Sequence, residues 1–296
     1  MKKGFFSYEN LSGDYISLGN DIRLGVPTAV FGVSEPHKYL TAALCRGNLL
    51  YITADAVSAG TAAQSLSTLT GEEAVQLTAK DDVLLYKEAV SRDMLFSRLT
   101  AAEKIYSGAR IVVCDIEAAM QLFPARSQSL TLSLGSDYDY ASLPSKLVSM
   151  GYTREYEVEA KGGFAVRGDI LDIFPINSEN PVRIDFFGDT VEKIRPYDAV
   201  SGERLAETSS VKIVCATEAV ISEKDIPAIR KALSQGLKNF PDIKAFGRAR
   251  AIADDIISKA EGGAPFAGAA YLMPVLSPEC TLFSALDKGT TIFFDE

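Results

Sequence analysis

The chain holds a single histidine, His37, and only four cysteines, Cys45, Cys114, Cys215 and Cys280, in 296 residues. No C-x-x-C pair exists, and thiolate and imidazole ligands are nowhere clustered, which argues against a zinc site. A lone histidine with no nucleophile and acid readable around it gives no catalytic triad, so no catalytic residue is assigned. The cysteines, spread apart and mostly beside apolar runs, read as small buried hydrophobes. No run approaches the ~18 apolar residues needed to span a bilayer, and the basic start MKKGFF is cut short by Glu9 and Asp14, a poor signal peptide. The expected compartment is the cytoplasm, with no membrane partner. Positive charge is also scarce. The net charge is −9, and a surface of that sign repels phosphate backbones, so the bulk balance favours protein partners over unaided DNA binding. Internal repeats and low-complexity tracts are absent.

What is present is an ordinary globular balance, 47% hydrophobic and 23% charged, in a chain long enough for two or three domains. Up to about residue 126 apolar strands alternate with helices. Residues 28–33 (TAVFGV), 49–54 (LLYITA), 82–86 and 110–115 (RIVVCD) read as strands; 36–45, 56–69 and 92–106 carry helical periodicity. That alternation predicts a parallel sheet covered on both faces. From 127 to 208 the pattern becomes one helix, 140–150, followed by short strands at 153–160, 164–167, 170–174, 182–187 and 191–196, with turns at Gly162-Gly163, 177–181 and Gly188-Asp189. This predicts an inserted α+β domain built on an antiparallel sheet. Residues 209–296 return to α/β character: a strand at 211–216, helical spacing of Ile226, Ile229, Leu233 and Leu237 and of Ile252 and Ile256, and a closing strand TTIFFDE. The expectation is that this last piece completes the first sheet, so one α/β domain is formed by two chain segments.

The segment FGVSEPHKY, residues 31–39, sits where a phosphate loop would. The working pattern is G-x-x-x-x-G-K-[ST]. Gly32 and Lys38 keep the spacing, but His37 replaces the second glycine and Tyr39 the serine or threonine. An imidazole crowds the phosphate-cradling turn, a tyrosine cannot set a small hydroxyl on magnesium, and Pro36 removes one N–H. Asp295-Glu296 at the end of an apolar strand has the form of a Walker B motif. Both halves of a nucleotide site are thus present in order, one degraded. The other reading of the same residues is an unrelated turn with a solvated Lys38.

Residues 147–154 (LVSMGYTR), 163–175 (GFAVRGDILDIFP), 182–189 (VRIDFFGD) and Ile194-Arg195 resemble, in order, the second domain shared by the excinuclease component UvrB and the transcription-repair coupling factors. The weaker likeness of the flanking pieces extends over nearly the whole chain. Three departures favour the coupling-factor family: the broken phosphate loop, no room for a DNA-inserting hairpin between Tyr86 and Ser91, and the route of 271–276 into the last strand. The resemblance implies a degenerate RecA-like, helicase-type nucleotide-binding domain carrying an inserted platform for UvrA, with Arg154, Arg167, Phe174 and Arg183 as contact residues. From the residues alone, core packing is the favoured reading of each phenylalanine, while pairing of the arginines with Asp169, Asp172 or Asp185 stays as open as a partner contact. Where UvrB has a second arginine this chain has Ala165. The resemblance further implies an amino-terminal fragment with no ATPase of its own. ATP, magnesium, RNA polymerase and DNA would belong to further domains of a longer parent, which would also contact this region. The alternative is a UvrB-like repair-helicase fragment with residual ATP or DNA binding.

Overall fold

The structure is a computed structural model that describes residues 13–80, 91–126, 129–238, 243–263, 265–266 and 268–296. These fall into two compact units. One draws on 13–80, Ala101–Phe123 and Cys280–Glu296, the other on 91–100 and Pro124–Glu279. In chain order the strands are β1 (Leu49–Thr53), β2 (Ala74–Leu77), β3 (Ile111–Asp115), β4 (Leu130–Ser133), β5 (Thr153–Arg154), β6 (Gly163–Arg167), β7 (Ile170–Ile173), β8 (Val182–Phe187), β9 (Thr190–Pro196), β10 (Ser210–Ile213) and β11 (Thr291–Phe294).

In the first unit the order is β11-β1-β3-β2, parallel throughout. The continuous apolar runs of β1 and β3 are buried at every position, as a sheet covered on both sides demands. Alternation sorts their side chains. Leu49, Tyr51, Ile111 and Val113 pack with Tyr39, Ala59, Ala62 and Leu66, from the helices Glu35–Ala42 and Ala56–Thr70. Leu50, Ile52, Val112 and Cys114 pack on the opposite side with Ala102, Ile105, Phe123 and Leu282. The helix Ala56–Thr70 begins at Asp55, whose carboxylate accepts from the Val57 and Ser58 N–H groups at 2.9 Å, and ends at Gly71 in the left-handed region. As expected, the last strand of the chain completes a sheet begun by the first segment.

Three strand expectations change. Residues 28–33 do not form a strand: they join no ladder, and Phe31 is 89% exposed. Among the described residues their β-prone composition has no neighbouring strand to pair with, so composition alone does not make a strand. The segment expected over 82–86, and with it the space considered for a hairpin, lies outside the described residues. The short strand β2, Ala74–Leu77, went unpredicted although it forms the far edge of the sheet.

The second unit contains a five-stranded sheet, β5-β6-β7-β8-β9, and the antiparallel pair β10-β4. The strand expected over 153–160 shrinks to Thr153–Arg154, paired parallel with β6. One face of the sheet buries Phe164, Leu171, Ile173, Ile184 and Ile194 with Leu132, Leu147, Ile213 and Phe96. Because β10 pairs with β4, and 213–216 joins this core, a boundary at 208 divides a single ladder. The helices Ile226–Leu237 and Ile243–Glu261 pack around Ile229, Ala260 and Leu272 in the same unit, so only Cys280–Glu296 of the expected third piece returns to the first. Gly151 is required where it stands. Its φ is +94°, and a Cβ would sit 2.7 Å from the Ala216 carbonyl carbon.

A buried ion pair anchors the second unit. The Arg98 Nε donates to Glu218 Oε1 at 3.0 Å, with side chains 1% and 3% exposed. Removing one partner of such a pair costs roughly 3–5 kcal/mol, because the other charge stays in a low-dielectric interior. Glu218→Ala is therefore expected to lower the stability of this unit by about that much, read as a shifted urea transition by circular dichroism.

Candidate functional site

Two arrangements bring chemistry-bearing side chains together, one in each unit. In the first, the Lys38 ammonium lies 2.7 Å from Glu35 Oε1 and 2.9 and 3.0 Å from the two carboxylate oxygens of Asp295. The Tyr51 hydroxyl donates to Asp295 Oδ2 at 2.8 Å, and the Tyr39 hydroxyl to Glu35 Oε2 at 3.1 Å. The Tyr51 ring stacks on Phe293. The loop pattern and the closing carboxylate, 257 residues apart, thus meet in space. They meet on each other. Burial opposes the Lys38 charge, yet the hydrogen bonds and charges of Glu35 and Asp295 outweigh it and raise its pKa. Burial, reinforced by Asp295, raises the Tyr51 phenol. Burial and then Glu35 raise that of Tyr39, while the Lys38 hydrogen bond, then that of Tyr39, lowers Glu35.

Gly32 has a positive φ of 71°, but no strand delivers it; Ser34 Oγ and His37 Nδ1 share a 2.7 Å hydrogen bond; Glu296 is exposed. Lys38 is tied to carboxylates, so the reading of a solvated lysine is set aside. These residues do not fit a magnesium nucleotide. The lysine is neutralised by two carboxylates, and the hydroxyl following it is committed to one of them. Tyr51 went unrecognised in the sequence; the only signal was a hydroxyl-bearing aromatic inside the aliphatic run LLYIT.

In the second unit the sheet face opposite the core is charged. Register places Ala165, Asp172, Arg183 and Arg195 in one cross-strand row. Arg183 grips Asp172 with two bonds, Nε to Oδ1 at 2.7 Å and Nη2 to Oδ2 at 2.8 Å, and its guanidinium lies 5.8 Å from the Tyr197 ring centre. That Asp172 bond is the main reason its pKa is raised. Arg195 pairs with Asp185. Arg167 donates to the Tyr156 carbonyl at 2.7 Å and stacks on the Tyr156 ring, itself 89% exposed. A cavity of about 440 Å³ lies over this face, lined by Arg167, Asp172, Arg183, Arg195, Tyr197 and Arg204 among others.

The four expected contact residues divide. Arg167 and Arg183 share the cavity. Arg154 is exposed on β5, aligned with Phe164 and not with the Arg183 row. Phe174 is corrected: at 6% exposure it is packed inside and has no surface to offer a partner. The physical reason is its position directly after β7, where its N–H bonds the Gly163 carbonyl. Tyr156, Tyr197 and Arg195 were missed, because their role depends on cross-strand register.

Residues 130–218 match the family model described as the UvrB interaction domain. The chain is similar to the transcription-repair coupling factors. It is 28% identical over 304 residues to that of Haemophilus influenzae, covering 100% of this chain and 25% of the relative. It is 28% identical to the Bacillus subtilis coupling factor over 237 residues, 76% of this chain and 20% of the relative, and 33% identical to that of Myxococcus xanthus over 201 residues, 63% and 17%. The chain spans a quarter or less of the length of these coupling factors. The matched region begins at β4 and runs past β10, so both strands of that antiparallel pair fall inside it. Among the described residues no helix is long and apolar enough to cross a membrane.

The raised pKa values of Lys38 and Tyr51 set a pH dependence. Their stabilisation is fully present below the pKa values of the unfolded chain and is lost as pH rises through the higher folded values. Replacing Asp295 with Asn should make Tyr51 ionise at lower pH than in the parent chain, though still above free tyrosine, since burial remains. Phenolate absorbance during an alkaline titration checks this; an unchanged titration curve would contradict it.

Proposed function

We propose that this chain is the amino-terminal UvrB-like segment of a coupling factor and acts as a docking module that recruits UvrA, without an ATPase of its own. The observation that carries the reading is the coincidence of the UvrB interaction domain with a pre-organised arginine face. Arginine and aromatic side chains are the groups from which interface hot spots are made. Here Tyr156 and Tyr197 hold two guanidiniums in fixed orientation, so less freedom is lost on binding. The Lys38–Asp295 cluster supports the second half. It is a degenerate nucleotide site whose lysine and carboxylate now hold each other, joining the helix Glu35–Ala42 to β11. The motor, the polymerase contact and DNA translocation belong to other parts of a longer parent. Those parts cover the arginine face until polymerase is engaged, a switch of the masking type.

Arg167 is the cleanest probe of docking. Its contacts are to an exposed carbonyl and ring, so reversing its charge leaves no buried partner stranded. Arg183 is a poor probe, since its loss abandons Asp172, which is 4% exposed. Titrating purified UvrA into the chain should give micromolar or tighter binding, and Arg167→Glu should weaken it roughly tenfold or more with an unchanged circular dichroism spectrum. No association in that range would overturn the docking reading. Magnesium-ATP should give no calorimetric signal at concentrations up to about 1 mM, and binding there would overturn the reading of the Lys38 cluster.

A further inference from the structure

The chain's positive charge is not spread evenly. Between residues 226 and 250 stand six basic residues, Arg230, Lys231, Lys238, Lys244, Arg248 and Arg250, against the single acid Asp242, in a chain of net charge −9. The segment covers the helix Ile226–Leu237 and the first turns of Ile243–Glu261. The two helices pack on each other through Ile229, Leu233, Ile256 and Ala260, and that packing sets which side chains point outward. Lys231 and Lys238, seven residues apart, share one exposed side of the first helix, and Lys244 and Arg248, four apart, share one exposed side of the second. Gly247 and Ala251 lie between and beside these cations, also exposed, and keep that side low.

The cations differ in how they are used. Arg230 pairs with Glu261, Arg250 reaches Asp254 at 3.9 Å and Lys259 holds Asp255 at 2.7 Å. Lys231, Lys238, Lys244 and Arg248 have no ion-pair partner among the described residues. The acids of this element, Glu223, Asp225, Asp254, Asp255 and Glu261, lie towards the other end, where Lys224, Arg230 and Lys259 are interspersed with them. A solvated helix surface in an acidic protein normally intersperses the two signs along its length. Here the far end does intersperse them, whereas Lys238, Lys244 and Arg248 at the near end have no ion-pair partner among the described residues, which gives that end a local field opposite in sign to the net charge.

We propose that this basic end of the helical pair is a sequence-independent contact for the phosphate backbone of duplex DNA. Charge complementarity selects the occupant. Flexible, unpaired lysines and an arginine are suited to neutralising phosphates, where exact orientation is not needed. The proposal does not rest on the UvrA reading, because it uses none of the sheet-face arginines.

Fluorescence anisotropy of a labelled mixed-sequence duplex, titrated with the whole chain across a salt series, tests it. Four phosphate-neutralising cations predict an apparent association constant falling with a log–log slope of about −3 to −4. Lys244→Glu with Arg248→Glu should reduce binding at low salt by at least about tenfold and flatten the slope by about two. Lys288→Glu, an exposed cation of the other unit, should change neither. Failure of the duplex to bind at low salt, or binding that the double reversal leaves intact, would overturn the proposal. So would preferential binding of an acidic polypeptide over the duplex, or of single-stranded RNA. UvrA titrated into the same double variant should bind as before, which separates failure of this contact from failure of the docking face.

Discussion

The chain leaves its first unit at Phe123 and re-enters it at Cys280, and the two residues are bonded. The Phe123 N–H donates to the Cys280 carbonyl at 2.9 Å, and Leu122 and Thr281 form an antiparallel bridge beside them. Everything else depends on this crossing. It brings the last strand, β11, back to lie parallel with β1, register Leu49 to Thr291. The loop closed in this way is long, but closure entropy grows only logarithmically with length, so a large insertion costs little more than a short one. The cost falls on contacts: the edge of the first sheet cannot form from local sequence.

The same crossing explains why the Lys38 cluster is a structural device. Asp295 reaches Lys38 and Tyr51 only once β11 has docked. An ammonium in this half-buried place, left without carboxylates, would face desolvation with little return. Two carboxylates satisfy it, each also accepting a hydrogen bond from a phenol, and the aromatic stack of Tyr51 on Phe293 closes the apolar side. A phosphate arriving there would have to displace Asp295 and Glu35 together and leave both unpaired. Tyr39, which ends the nucleotide pattern, is also what helps hold Glu35 in place. Tyr39 and Glu35 are therefore coupled by one hydrogen bond.

Much of the architecture was legible because burial on both faces leaves an unbroken apolar signature. LLYIT and IVVCD are of that kind, and each strand is buried throughout. Arg183-Ile184-Asp185-Phe186 was legible for the opposite reason, a period of two set by one wet and one dry face. Residues 28–33 carried the first signature and formed no ladder, because a strand needs a neighbour as well as a composition. Ala74–Leu77 lacked length and so escaped notice. Within the candidate sites, Lys38 and Asp295 could be named singly, but only tertiary contact shows that they neutralise each other. Phe174 was misjudged because an aromatic beside a strand has the same letter whether it faces a partner or the interior.

Arginine use distinguishes the two charged surfaces of the second unit. On the sheet face the guanidiniums of Arg167 and Arg183 are each stacked on a tyrosine and hydrogen-bonded within their own unit. Asp172 balances the charge of Arg183 while Arg167 keeps its own, but the donors of both are fixed in direction, and fixed direction is what discriminates one protein surface from another. On the helical pair the outward lysines carry uncompensated charge and no fixed orientation. That combination discriminates poorly and attracts at a distance, within the reach of about 8–10 Å that physiological salt allows. A single chain of net negative charge can therefore hold a selective protein-docking surface and an unselective polyanion contact. The first fixes its donors on a carbonyl, a carboxylate and two tyrosine rings to gain geometry. The second keeps its charge unspent, because Lys238, Lys244 and Arg248 have no ion-pair partner among the described residues.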